Sequence, residues 1–485
     1  MGKGRMAKDT LLFLPAKVAE GVIVMLTTAF YTKLFLPEAY GSFQIINTTM
    51  LVAYLISASW LANAAVRYIG DELKKDSGKE FYSTLVTSYL YISGLVCAVC
   101  LIVYLFQGDP VWPAGAFMFA AYSLFMILNG MLVQTGLIRW SIVLSLLSVT
   151  LKLASAYLYV NLLPSGVKTP FPAVFASMTG DFIASVGALL ALGIPSAMSL
   201  KRFSRPLFSS LMKYGFPLIG VSVSIGLLNM IDRYIVVFTM GKAPFAVYSA
   251  NYAISSGIFT MLTVAVMRGV YPAVLGAWRE GGQASAKPLL DAGARLYVLI
   301  ALPCAAGLTA VGPLLSRVLF VRPEYHTGAP VIGITACAMF FMGLTEYANK
   351  PWELTKNTIP VLQNAACAAV LKVVASLLLI PVFGISGAAY GTLFAFLLYF
   401  SLAALRAKRI FLFYLGTRRV LNITVSSLLC ALAAFAVTLM PVPRVAALAG
   451  AVFTGAAVYF AAIFLSGEIG GEISALKAHL KTPKL

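Results

Sequence analysis

The chain has 485 residues, a formal net charge of +19, and a composition that is 60% hydrophobic but only 11% charged. Soluble domains carry roughly 25% charged residues, so a water-soluble protein is excluded. The positive charge does not point to nucleic acid, because most of it falls between apolar segments and on alternate stretches of the chain.

Read with a window the length of a membrane span, the chain resolves into about fourteen apolar segments. They lie near residues 10–34, 42–66, 81–106, 113–138, 140–163, 172–195, 214–238, 246–275, 293–320, 330–350, 359–381, 388–405, 419–440 and 445–466. The stretches between them are too short for a soluble domain. This pattern predicts an all-α polytopic membrane protein.

The first segment opens with "MGKGRMAKDTLLFLPAKVAEG", a basic start like that of a signal peptide. Lys17 and Glu20 interrupt its apolar run, which continues to Phe35 without a small-residue cleavage site, so a retained first helix is expected. Met6 breaks the N-myristoylation pattern. The second segment carries Gln44, Asn47, Thr48 and Tyr54 and ends near Arg67. In the third, Cys97 and Cys100 form a C-x-x-C, but all six cysteines lie in apolar segments. They are read as packing residues, and no metal or redox cofactor is expected.

The fifth segment holds Lys152 inside "TLKLASAYLYV", and the eleventh holds Lys372 inside "VLKVVASLLLI". A charge at bilayer depth costs roughly 2.5–3.5 kcal/mol on insertion scales. No acid lies three or four residues from either lysine, so a water-filled interior or a bound anion is the simplest way to keep them charged. The two are six segments apart. An even offset preserves chain direction, which predicts a parallel internal repeat. Pro15 and Pro217, "LPEAYGSF" and "GKAPFAVYS", and Arg67 and Arg268 match at the same offset. The expected organisation is two six-helix lobes, 1–200 and 201–410, followed by 411–485 with two further helices and a tail.

Other charges within the segments have plainer explanations. Lys17 and Glu20, spaced i, i+3, neutralise each other. Arg295 and Arg317 sit near segment ends, where they reach headgroups. Adjacent side chains on a helix point to different faces, so Asp232 and Arg233 are not expected to bridge. In the seventh segment Ser222, Gly226, Asn229 and Arg233 share a face; in the eighth Ser249, Tyr252, Ser256, Thr260 and Thr263 do. Such stripes serve helix packing as well as hydrated cavities. On the cavity reading, the substrate-binding candidates are Lys17, Arg67, Lys152, Arg233, Arg268, Lys372, Asn47, Asn229 and Tyr252. Glu20 and Asp232 are the candidates for ion coupling.

With the start of the chain in the cytoplasm, the inside stretches hold Arg139, Lys201, Arg202, Arg205, Lys213, Arg279, Lys287, Lys350, Arg406, Lys408, Arg409, Arg418 and Arg419, among others. The outside stretches hold Lys33, Lys168, Lys242, Arg322 and Arg444. This bias predicts that both termini are cytoplasmic. There is no ATP-binding G-x-x-x-x-G-K-[ST] and no H-E-x-x-H, and no loop is large enough for a glycosyltransferase site. Transport is expected rather than catalysis.

"IDRYIVVFTMGKAPFAVYSANYAI" and "LKVVASLLLIPVFGISGAAYGT" resemble motifs of the polysaccharide transport family, as does "AVRYIGDEL". That family of Wzx-type flippases belongs to the multidrug/oligosaccharidyl-lipid/polysaccharide (MOP) exporter superfamily. The resemblance extends over essentially the whole chain. It implies two six-helix lobes with two added helices, located in the bacterial cytoplasmic membrane. It also implies movement of an undecaprenyl-pyrophosphate-linked oligosaccharide, with membrane lipids and polysaccharide-synthesis proteins as partners and a monomer as the working unit. A lipid II flippase of peptidoglycan synthesis shares these features. A multidrug exporter needs an acidic cavity, whereas the charges here are net basic, and a glycan polymerase needs a large outer loop.

Overall fold

The computed structural model describes residues 19, 21–73, 78–163, 167–194 and 202–468. Lys17 and Glu20 lie outside the described residues. Among the described residues eleven helices are long and apolar enough to cross a membrane. A further span is the pair Pro37–Ser57 and Ser59–Glu72, bent by 52°. Helix Lys242–Leu319 is 78 residues long and breaks at Gly281 and Gly282, so it supplies two spans. Gly21–Leu34 is a shorter apolar helix. The expected polytopic all-helical protein is therefore what the chain forms.

The remaining helices follow in chain order as Lys79–Gln107, Val111–Gln134, Ile138–Leu162, Phe171–Ala191, Arg205–Met240, Ala329–Leu354, Ile359–Phe383, Ile385–Ala407, Thr417–Thr438 and Arg444–Leu465. Proline stands in the first turn of several, where its missing N–H has no helical partner to lose.

Packing divides the chain into two compact units, Met1–Ser249 and Ala250–Leu485. In the first, Ile138–Leu162 pairs with Phe171–Ala191, which also lies against Val111–Gln134. Helix Arg205–Met240, grouped on sequence with residues 201–410, packs here on Ser59–Glu72 and Pro37–Ser57. The core at this end joins Trp60, Leu61, Phe81, Phe125, Leu128, Met131, Leu144 and Leu211. In the second unit, Ile385–Ala407 packs on both Ile359–Phe383 and Ala329–Leu354, and Thr417–Thr438 pairs with Arg444–Leu465.

Two stretches differ from the sequence reading. The second span is bent at Ala58, for a local reason. Ser57 and Ser59 donate their hydroxyls to the carbonyls of Ala53 and Leu55, each at 2.6 Å, and Trp60 Nε1 donates to the Ser57 carbonyl at 2.8 Å. Side-chain bonds of this kind compete with the helical ladder and bend it. The second difference is residues 276–292, read as a loop but helical except at the Gly281–Gly282 break. Lys287 and Asp291, spaced i, i+4, pair there at 2.8 Å and support the helix.

Candidate functional site

Helices Ile138–Leu162 and Phe171–Ala191 bring together the charges of the first unit. Lys152 Nζ lies 2.7 Å from Asp181 Oδ1. The same carboxylate oxygen accepts the Ser148 hydroxyl at 2.7 Å. The lysine side chain is 24% exposed and the aspartate 3%. Gly180 makes the approach possible, because a Cβ there would stand 2.5 Å from the Ser148 carbonyl oxygen and 2.7 Å from Lys152 Cγ. Tyr31 Oη adds a bond to the Lys152 carbonyl at 3.2 Å. The acid that meets Lys152 is therefore not one three or four residues away. Its partner is on the next helix, where spacing along one helix does not reveal it.

The neighbouring helices extend this polar region. Arg233 donates to Thr48 at 3.2 Å, and Tyr234 bonds Thr49 at 3.2 Å. Gln44 donates to Tyr40 at 2.5 Å, and Tyr54 meets Tyr122 edge to face with centroids 5.4 Å apart. Asn47 is half-buried on the same helix as Thr48. Asp232 is fully buried and accepts from Tyr248. Asn229 turns its amide onto the Ile225 carbonyl of its own helix at 2.9 Å. Arg67 stands apart: it is exposed and 3.8 Å from Asp71, an i, i+4 surface pair that contributes little.

In the second unit Lys372 is completely buried, with its ammonium 5.4 Å from the centre of the Phe396 ring. None of this candidate's side chain reaches solvent. Cation–π contact is strongest where water is excluded. Tyr252 is buried, while Arg268 is exposed. Arg295, expected at headgroups, instead meets Glu468 at 3.3 Å, and Arg419 approaches the same carboxylate at 3.7 Å.

A further charged cluster was not anticipated. Lys350, read as a loop residue, is inside helix Ala329–Leu354, with Glu353 at 2.8 Å, Glu346 at 3.5 Å and the Tyr271 ring centre at 4.9 Å. Its signal was local, since i, i+4 and i, i+3 acids flank the lysine on one helix. Asn251 and Ser255, on the eighth segment but outside the predicted stripe, hold the core together. Asn251 donates to the Tyr325 carbonyl at 2.9 Å, and Ser255 to that of Ile332 at 2.6 Å.

An apolar groove of about 380 Å³ lies among helices Lys242–Leu319, Thr417–Thr438 and Arg444–Leu465. Leu299, Pro303, Leu308, Ala434, Val452 and Phe460 are among its lining residues. Among the described residues no group of three or more His, Cys, Asp or Glu side chains is placed to hold a metal ion.

No known family's sequence pattern matches the chain, and no curated protein does. Solved structures do. The lipid II flippase MurJ in an inward closed conformation aligns over 96% of this chain and 100% of its own, with a TM-score of 0.75 and 14% identity. An inward-facing multidrug resistance MATE family transporter of the MOP superfamily aligns over 80% of this chain and 95% of its own, at TM-score 0.65 and 12% identity. A MOP superfamily transporter from Pyrococcus furiosus, described by the reverse polarity of its binding pocket, covers 84% of this chain and 96% of its own. Its TM-score is 0.57 and its identity 12%. At such identities the likeness is one of architecture. The chain has the fold shared by MurJ and the MATE transporters, that of the MOP exporter superfamily.

Proposed function

We propose that this multi-pass membrane protein is a flippase. In this reading it carries a polyprenyl-pyrophosphate-linked oligosaccharide from the cytoplasmic to the outer leaflet of a bacterial inner membrane, for cell-surface polysaccharide synthesis. The observation that carries the reading is a partly open lysine within the membrane-spanning helices of a transporter fold, Lys152. A pyrophosphate headgroup needs cations that water cannot replace, and Lys152, with Arg233 in the same unit, is suited to that need. The apolar groove beside the last two helices suits an isoprenoid tail. Alternating access would move the headgroup, and both termini would face the cytoplasm. Polysaccharide-synthesis proteins would supply the substrate and consume the product.

The test is deletion of the gene followed by mass spectrometry of the lipid-linked intermediates that accumulate. An accumulated undecaprenyl-pyrophosphate oligosaccharide is the expected result. A second reading, transport of lipid II, is favoured by the full-length alignment with a lipid II flippase. It predicts accumulation of the peptidoglycan precursor instead.

A further inference from the structure

We propose that Asp181 takes up a proton when substrate binds, and that it does so by surrendering Lys152 to the substrate phosphate. The inference rests on the flippase reading and adds a residue to it. Lys152 has one open side and one closed side. The closed side holds Asp181 at 2.7 Å, with the carboxylate itself 3% exposed. An oxyanion arriving from the open side competes for the same ammonium, whose three donors can turn only so far toward two acceptors.

When the ammonium turns to the phosphate, Asp181 keeps the Ser148 hydroxyl and loses its cation. A buried carboxylate without a cation is far less stable than its protonated form. Anion binding and proton uptake are then linked, each strengthening the other. The balance is simple: the Asp181 carboxylate gains one proton from solution, Lys152 stays an ammonium, and the proton leaves when the phosphate does. Because the proton only partly offsets a doubly charged pyrophosphate, the loaded site still carries negative charge outward. An inside-negative membrane potential favours that movement.

The groups around the carboxylate suit this exchange. Tyr122 of Val111–Gln134 and Tyr31 of Gly21–Leu34 lie within electrostatic reach of it. Tyr159 bonds Thr179 at 2.9 Å, two residues along the helix from Asp181. Beyond Tyr122 lies Tyr54 of Pro37–Ser57, edge-on to it, and the charged Arg233 of Arg205–Met240 is held on Thr48, on the same helix as Tyr54. The phenols can donate to a carboxylate or accept from a carboxylic acid without changing charge.

The experiment measures binding of undecaprenyl pyrophosphate to the purified full-length protein in lipid nanodiscs, as a function of pH. Proton uptake is followed in weakly buffered solution. The wild type is expected to take up one proton more than the phosphate's own titration explains. Its affinity should rise about tenfold for each pH unit of acidification within the exchange window. Asp181→Asn should bind at least as tightly and lose the extra proton. Ser148→Ala should keep the uptake but move the window to higher pH, because the carboxylate has lost a donor. Wild-type binding with the same uptake in Asp181→Asn overturns the inference and leaves the flippase reading standing. No wild-type binding at any pH overturns both.

Discussion

Lys372 sits over the face of Phe396, 5.4 Å from the ring centre, and both residues are completely buried. In the first unit Lys152 faces the carboxylate of Asp181. Both lysines lie on helices packed tightly against the next one along the chain. Lys152 meets an acid on the helix that follows its own, and Lys372 lies over a ring on the helix that follows its own.

That difference can be measured. Phe396→Ala removes the ring and leaves a cavity, at an expected cost of about 3–5 kcal/mol. Phe396→Leu keeps most of the volume and loses the π face, so it should cost less than the alanine variant. Cation–π contacts are worth on the order of 1–2 kcal/mol when desolvated. Melting temperatures of the purified variants give the comparison. A leucine variant that melts with the wild type would show that the ring acts by volume alone.

Gly180 tests the close approach at Lys152. Its side-chain position is occupied by the Ser148 carbonyl and the lysine stem. Gly180→Ala should destabilise by about 1–3 kcal/mol, as overpacking does. Gly94 on helix Lys79–Gln107 has nothing within 4 Å of its Cβ position and is the control. Gly94→Ala should be neutral or stabilise by up to about 1 kcal/mol. Equal melting points for the two variants would rule out tight packing at Gly180.

The bend at Ala58 depends on two hydroxyls. The double variant Ser57→Ala, Ser59→Ala should let the second span straighten. Spin labels at the exposed positions Glu38 and Arg67 would then move apart by about 3–4 Å, given 1.5 Å rise per residue and the 52° bend. An unchanged distance would assign the bend to packing around Trp60.

Orientation is open to cysteine labelling. Single cysteines at Gln107, Lys168, Lys242, Arg322 and Arg444 should react with an impermeant reagent from outside. Those at Lys75, Arg202 and Arg409 should react only after permeabilisation. The opposite pattern would reverse the assigned topology.

Much of the architecture was legible because membrane spans announce themselves by length and hydropathy. The starts of Thr417–Thr438 and Arg444–Leu465 fall within two residues of their sequence-read positions. The failures have physical causes. The long helix continued through 276–292 because Arg279, Lys287 and Asp291 are as compatible with a water-exposed helix as with a loop. Lys152 stood out as a charge in an apolar segment, but its meeting with Asp181 depends on how two helices rotate against each other. Hydropathy carries no such information. Lys350 was misplaced because charge alone assigned it to water, although two glutamates on its own helix neutralise it.

The break at Gly281 and Gly282 has a mechanical consequence. Gly282 has φ +61°, a conformation a side chain would resist. From Lys242 to this point the helix is about 58 Å long, at 1.5 Å per residue. The hydrocarbon layer is only about 30 Å thick. A membrane-crossing rod of that length overhangs, and its partner limb returns from the same knee without an intervening tether. Tilting one limb therefore swings the other unless the knee flexes, so two glycines set how independently two spans can move.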